Sequence, residues 1–386
     1  MRLLTALALF TGALVPSAGV AQGTQVADSL HRAGLRALEA ADTAVYRDLM
    51  ERAAQAMPAG ALDRPYYQYQ AARANALQGR AAESAGWLER IYDERIEGLM
   101  AWCAERDAAF DLVRGSAEYA ALFSKVQQLT LKVTRLNGPL SLLEGAGGNS
   151  VVSIGPDGTM LVDAGYVPGG PALARAIATL DGTSPRWIVL THAHEDHVGG
   201  VPALSAAATI LAHPNAILQL GEAHEFIPGV EVPAKPWAGR VEPVAEPRRI
   251  PFNGDTVEII PMPAHSGGDL LVWFPQSNVL HTGDNYLPGA NPFLELGGIR
   301  DIEGYIAAMG VFLDRLDGDT WIVPGHGAVS TLADLRAIYQ KTRDGIQFVR
   351  RNKVAGLSLE EIKARGAEAG LPGPWIERAY RRIQVE

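Results

Sequence analysis

The sequence predicts an α/β fold preceded by an all-α region. Three observations carry that expectation. From about Ala27 to Leu129, apolar residues recur at three- and four-residue spacing, as in Leu30, Leu35 and Leu38 and again in Val45, Leu49 and Met50. After Leu129 the texture changes to short β-rich runs separated by Gly, Pro, Asn and Asp turns. Later still, strand-like runs alternate with helical stretches, the signature of crossover connections.

Composition bounds the rest. The chain has 386 residues, 47% of them hydrophobic and 20% charged, enough for two or three domains with a buried core and unlike a disordered protein. Its 34 Lys and Arg against 43 Asp and Glu give a net charge of -9, so there is no electrostatic reason to expect nucleic acid or an anionic membrane as partner. The single cysteine, Cys103, excludes an intramolecular disulfide and a Cys-rich zinc finger.

Taken in order, residues 1–21 read as a secretory signal. Met1 and Arg2 make a positive start, Leu3 to Val15 an apolar run, and cleavage after Ala21 places Gly19 and Ala21 at the small-residue positions. A membrane span needs about 20 apolar residues, more than this run or any other segment supplies. The expectation is an exported protein, periplasmic or secreted.

Residues 22–130 form the helical part. Pro65 opens a helix at a favoured first-turn position, and Gly79 breaks it before a partner through Trp87, Leu88 and Ile91. The pair, from Tyr66 to about Arg95, resembles a tetratricopeptide-type hairpin, with Ala72 and Ala85 permitting close approach. The segment Asp107 to Val126 is similar to the closing helices of such proteins, which need about three stacked repeats for stability. A plain helical bundle serving as a dimerisation arm fits the same pattern. On either reading this region is where a second copy or a protein partner would bind.

Residues 131–330 are the α/β part. Strands are expected at Leu131–Leu136, Leu140–Leu143, Val151–Ile154 and Met160–Val162, with a turn at Gly155-Pro156-Asp157-Gly158. More follow at Trp187–Leu190, Thr209–Leu211, Val257–Ile260, Leu270–Phe274, Asn278–Leu280 and Trp321–Val323. Helices are expected near Pro171–Leu180, Asp301–Leu316 and Leu332–Arg350. Residues 331–386, with the tail from Leu357, are expected to pack on the outside of this domain.

The chemistry concentrates at strand ends. Directly after the apolar strand Trp187 to Leu190 comes Thr191-His192-Ala193-His194-Glu195-Asp196-His197. In extended chain His192, His194 and Asp196 point to one side, and a turn brings His197 round. Three further ligand-type residues end similar strand-loops: His265 after Ile260 to Ala264, Asp284 after Val279 to Gly283, and His326 after Val323 to Gly325. Imidazole nitrogen and carboxylate oxygen suit zinc, and five histidines with two aspartates are enough for two metal ions.

The His-x-His-x-Asp-His run with its downstream His, Asp and His resembles the metallo-β-lactamase-fold superfamily. Leu161-Val162-Asp163-Ala164-Gly165 is similar to that family's first motif, and Pro324-Gly325-His326-Gly327 to its last. The resemblance covers roughly residues 131–330 and implies a four-layer αβ/βα sandwich with the metals at one edge between the sheets. It also implies that one metal takes His192, His194 and His265, the other Asp196, His197 and His326, with Asp284 bridging. Two cations about 3.5–4 Å apart share a water and lower its pKa toward about 7. Asp196 would orient that water and shuttle its proton. Zinc is favoured by the ligands, while some members of the superfamily use iron or manganese.

Other residues have two readings each. Asp163 either holds the second nitrogen of a ligand histidine or caps the turn at Gly165. Tyr286 either donates to a developing oxyanion, as a tyrosine does in lactonase-like members, or only packs. Asn149 and Ser266 are candidates to line the cleft. His31, His213, His224 and His281 are expected to cap, pack or face solvent. Cys103 is expected in the core, since no His or Asn motif partners it, and Gly145 to Gly148, lacking a Gly-Lys-Ser/Thr ending, reads as a turn.

The function expected is an exported dinuclear metal hydrolase turning a metal-bound hydroxide on a carbonyl bond of a small molecule: ester, thioester, lactone or β-lactam. The best-known lactamases of this fold place a cysteine or a non-bridging residue where Asp284 stands, so the set resembles the thioesterase and lactonase branches more closely. The alternatives are a β-lactamase proper, a non-haem iron redox enzyme of the same fold, and a binding or scaffold protein acting through the helical region.

Overall fold

A computed structural model describes residues 18–59, 64–91, 99–204, 206–227, 229–288 and 302–383. The expected leader falls largely on residues 1–17, outside the described residues. Within the described part, the first hundred or so residues are helical: α1 (Ala18–Glu39), α2 (Thr43–Ala56), α3 (Arg64–Ala76), α4 (Ala81–Ile91), α5 (Leu99–Ala104) and α6 (Ala117–Gln127). The Asp42 side chain accepts from Val45 N–H to start α2, and Ser116 accepts from Tyr119 N–H to start α6. Pro65 lies in the first turn of α3, as its missing N–H allows. Ser84 Oγ donates to Ala72 O at 2.8 Å, locking α4 onto α3 where Ala72 and Ala85 are both buried.

Two sheets follow. The first runs β1 (Lys132–Arg135), β2 (Leu140–Ala146), β3 (Gly148–Gly155), β4 (Gly158–Val162), β5 (Trp187–Val189), β6 (Thr209–Ala212) and β9 (Val241–Pro243), in that spatial order. Its hairpin-connected strands β1 to β4 are antiparallel, and the pairs β4–β5, β5–β6 and β6–β9 are parallel. Its crossovers carry α7 (Gly169–Thr179), α8 (Glu195–Val198), α9 (Val201–Leu204) and α10 (Pro214–Leu220), and a small hairpin of β7 (His224–Ile227) and β8 (Val230–Val232). The second sheet runs β10 (Arg248–Phe252), β11 (Asp255–Pro261), β12 (Leu270–Phe274), β13 (Val279–His281), β14 (Trp321–Val323) and β15 (Ser330–Thr331). Within it, only β13 and β14 pair in parallel. The helices α11 (Ile302–Leu313), α12 (Leu332–Val354), α13 (Leu359–Glu368) and α14 (Gly373–Arg382) complete the chain.

Side-chain alternation explains the layering. Leu140, Leu142, Val151, Met160, Val162, Val189 and Leu211 of the first sheet face Val257, Ile259, Leu270, Val272, Phe274 and Val323 of the second. Their neighbours Leu143, Val152, Leu161, Ile188 and Ile210 point the other way, into a cluster with α7, α9, α10 and the N-terminal helices. Ile260, Leu271, Leu280 and Ile322 cover α11, α12 and α14. The result is the helix–sheet–sheet–helix order that the family resemblance implies. The C-terminal helices form the outer layer over the second sheet, with Trp375, Ile376 and Ala379 buried in that last cluster. No helix among the described residues is long and apolar enough to cross a membrane.

The elements that sequence patterning missed are β7, β8, β9, β10 and β15 and the short helices α8, α9 and α10. The strands β9, β10 and β15 lie at sheet edges, where one side needs no partner and charged residues or proline are tolerated. Val241-Glu242-Pro243 and Arg248-Arg249-Ile250-Pro251-Phe252 therefore read as loop rather than strand.

Candidate metal centre

Parallel pairing of β4, β5 and β6 sends their C-terminal ends to one edge of the sandwich, the place where α/β sheets gather functional side chains. His192 leaves β5 there, and His194 is the N-cap of α8, whose single turn swings His197 back toward His192. His265 follows β11, Asp284 follows β13 and His326 follows β14. Two groups result: His192, His194, His265 and Asp284, and next to them Asp196, His197 and His326, with the ligand atoms of each group within 4.8 Å of one another. Asp284 faces both. Its Oδ2 is 3.7 Å from His265 Nε2, 4.0 Å from His192 Nε2 and 3.6 Å from His326 Nε2, while its Oδ1 is 3.4 Å from His197 Nε2. Asp196 Oδ2 stands 2.9 Å from His326 Nε2 and 3.8 Å from His197 Nε2. His192, His197 and His265 are buried, whereas His194, Asp196 and His326 are half-buried and form the open side.

The residues fit a pair of divalent cations. His265 Nε2 and His194 Nδ1 approach to 3.0 Å, and His197 Nε2 and His326 Nε2 to 3.3 Å. Nitrogens held at about that spacing suit ions bound at about 2.0–2.1 Å. His192 Nε2 and Asp284 Oδ1 are buried and make no hydrogen bond among the described residues. An orphaned polar atom of that kind costs about 1–3 kcal/mol, which a cation would offset. At His192 electrostatics point the same way. Burial, then His197 and His194, holds His192 well below the usual imidazole range, so it presents a lone pair. Burial acts in that direction on His197 too, but the Asp163, Asp284 and Asp196 carboxylates outweigh it and push the imidazole up to about 10, so a cation would bind there by displacing the Nε2 proton. For Asp196 and Asp284 burial alone would raise the carboxyl, and the surrounding histidines instead hold both below the usual carboxylate range.

Behind the ligands lies a set of hydrogen bonds that aims them. Asp163, at φ 60° just past β4, is fully buried. Its Oδ2 lies 2.7 Å from His197 Nδ1 and accepts from Thr191 Oγ at 2.8 Å, while Oδ1 accepts from Thr191 N–H at 2.7 Å. Accepting from Nδ1–H fixes the His197 tautomer and leaves Nε2 facing the site. Asn285 Oδ1 accepts from His265 N–H at 3.1 Å. Asp269 accepts from the N–H groups of Ala264, Ser266 and Gly267 at 2.8, 2.9 and 3.1 Å, tying the His265 turn. Asn149 donates from Nδ2 to Pro324 O and Gly327 O, both at 2.9 Å, and so clamps the loop bearing His326. A methyl group on Gly325 would stand 2.0 Å from Asp284 Oδ1, and one on Gly148 would stand 2.8 Å from His197 Cε1, so glycine is required at both close approaches.

The remaining candidates sort as follows. Ser266 bonds Asp269 through Oγ at 2.7 Å and belongs to the turn. Tyr286 is buried in the apolar cluster that also holds Ile260, Met262 and Tyr305. His31 packs edge-on against Tyr66 and Tyr67, His213 caps α10, His224 is exposed, and His281 is buried behind the site with Nε2 3.0 Å from Asn149 O. Cys103 is buried in α5. Thr191, Asp269, Asn285 and Glu195 were not foreseen. The sequence carried a weak signal for Asp269, a short acceptor closing the Ser266-Gly267-Gly268 turn, and none for the others beyond their place beside a ligand.

Residues 143–327 match the family model described as Metallo-beta-lactamase superfamily. A hydroxyacylglutathione hydrolase of Anaeromyxobacter dehalogenans is 32% identical over 163 residues, 41% of this chain and 54% of that protein. An atrochrysone carboxyl ACP thioesterase of Emericella nidulans is 24% identical over 287 residues, 72% of this chain and 81% of that one. Among solved structures, a stereoselective inverting sec-alkylsulfatase from Pseudomonas sp. superposes with a TM-score of 0.49 at 17% identity, over 67% of this chain and 51% of that one. The chain thus spans about half the length of the first of these relatives.

Proposed function

Residues 143–327 form a metallo-β-lactamase superfamily domain, and from that premise we infer that the protein is an exported hydrolase with two metal ions, zinc by ligand chemistry, acting on a carbonyl bond of a small molecule. The observation that carries the reading is Asp284 facing both ligand groups at 3.4 to 4.0 Å. When bound, a cation pair supplies a water acidic enough to attack at neutral pH. The chain's own residues do the rest. Asp196, half-buried at the mouth, is placed to orient a water and to take up and return a proton. His194 and His326 share the open side, where a substrate enters, and Asp163 keeps His197 in the tautomer that presents Nε2. Among carbonyl substrates a thioester is favoured, because two relatives carry the names hydroxyacylglutathione hydrolase and ACP thioesterase.

Metal analysis of the purified protein, followed by a panel of thioester, lactone and nitrocefin substrates, tests this. Two metal equivalents are expected, with hydrolysis of the thioester and loss of that activity in Asp196→Asn and His265→Ala. A single iron equivalent with oxygen uptake would replace the hydrolase with a redox enzyme. A protein that binds no metal would leave the helical region as the functional part, as a scaffold or dimerisation arm. Export is tested by the N-terminus of the protein recovered from cells, expected at Gln22.

A further inference from the structure

Between the ligands His194 and Asp196 sits a charged residue that turns away from the site. Glu195 is 3% exposed, and its carboxylate accepts from Lys235 Nζ at 2.6 Å. Burying a carboxylate is costly unless it is paired, so this inward orientation depends on the lysine. Lys235 is itself held in place: its N–H donates to Leu220 O at 2.7 Å and its carbonyl accepts from Ala238 N–H at 3.0 Å. The helical region packs into the same interior as this turn. Cys103 of α5 shares one buried cluster with Ala193 and Val198, which flank Glu195 in the chain. Arg106 is stacked on the Trp102 ring, 4.2 Å from its centroid. Nearby, Gly229 of the β7–β8 hairpin that leads to Lys235 lies against the Arg73–Asp107 ion pair.

The turn these contacts grip is short. A four-residue helix such as α8 is too short to hold its own shape, since helix nucleation is unfavourable. Its orientation must come from side-chain anchors. Glu195 anchors it from the interior and Asp163 anchors His197 at its far end. We propose that Glu195 and Lys235 are positioning residues for the metal centre: the buried ion pair, backed by the α5 end of the helical region, sets the direction in which His194 and Asp196 face. The N-terminal helices then act as a buttress of the ligand turn. This rests on the two-metal reading of the site.

The test is a cobalt(II) titration of the metal-stripped full-length chain, followed by visible absorption. In Lys235→Met the cobalt affinity is expected to fall about 10- to 100-fold, the usual effect of removing a group that orients ligands, with the circular dichroism spectrum unchanged. Lys235→Arg, which keeps the charge, is expected to recover most of the affinity. If the buried unpaired carboxylate prevents Lys235→Met from folding, the double variant Glu195→Gln/Lys235→Met removes that charge together with the tether and is read in its place, with the same expected loss. A folded variant that binds cobalt within about twofold of wild type overturns the proposal and leaves the pair a stability feature only. A wild-type chain that takes up no cobalt overturns the two-metal reading itself, and this proposal with it.

Discussion

Replacing Asp163 with asparagine isolates the atom that orients His197. The backbone there is left-handed, at φ 60°, which asparagine tolerates far better than alanine. The substitution therefore changes hydrogen bonding with little added backbone strain. The carboxylate accepts three bonds: Thr191 N–H on Oδ1, and Thr191 Oγ and His197 Nδ1 on Oδ2, at 2.7, 2.8 and 2.7 Å. An amide has one acceptor oxygen. If that oxygen takes the Oδ2 position, the NH2 group faces Thr191 N–H, donor against donor, at a fully buried site. If it takes the Oδ1 position, the NH2 group faces His197 Nδ1, which can accept only by moving the ring proton to Nε2, the nitrogen that faces Asp284. The first arrangement loses a charge-assisted bond, worth about 1.5–3 kcal/mol of stability. The second weakens metal affinity about 10- to 100-fold. Competition with a chromophoric chelator and a denaturant melt, run on the same sample, separate the two. A variant unchanged in both measurements would refute the assignment of Asp163 as the His197 partner.

Three further outcomes follow from the geometry. Gly325→Ala places a methyl group 2.0 Å from Asp284 Oδ1 and 3.0 Å from His197 Cε1, so the purified variant is expected to retain little metal; full occupancy by elemental analysis would contradict the packing. Tyr286→Phe is expected to leave kcat nearly unchanged, because the side chain is buried in the apolar cluster over the second sheet; a fall of about 10²–10³, the size expected for a lost oxyanion donor, would give it the catalytic role. Burial, opposed by Asp28 and aided by Arg32, holds His31 down at about 4. Its folded value lies below the ordinary 6.5, so the stability it contributes is complete above about pH 6.5 and is lost as pH falls toward 4, about 3 kcal/mol in all. Denaturant unfolding at pH 7 and pH 4.5 is expected to show a smaller acid loss in His31→Phe than in wild type; equal losses would refute the assignment.

The strand-end histidines and aspartates that gather at one edge were legible because the chemistry is local in sequence. His192, His194, Asp196 and His197 share one run, and His265, Asp284 and His326 each follow an apolar strand whose pattern is hard to mistake. The central strands were legible for the same reason: Leu270 to Phe274 is apolar on both faces because both faces are covered. Edge strands such as β9 and β10 were not, since an edge position relaxes the pattern that makes a strand recognisable. Asp269 and Asn285 were missed because their role lies in backbone N–H groups that only a folded loop brings to them.

The sequence by itself determined which histidines and aspartates stand at strand ends and the order in which the strands deliver them. Only the tertiary structure decided that Asp284 faces both ligand groups, that Asp163 rather than solvent sits behind His197, and that Glu195 turns inward to a lysine forty residues away. The physical reason is that ligand identity is a property of side chains, whereas aim is a property of hydrogen bonds and buried charges between segments far apart in the chain. Those bonds form only when the two sheets close over their shared core and the helical region packs against the first of them.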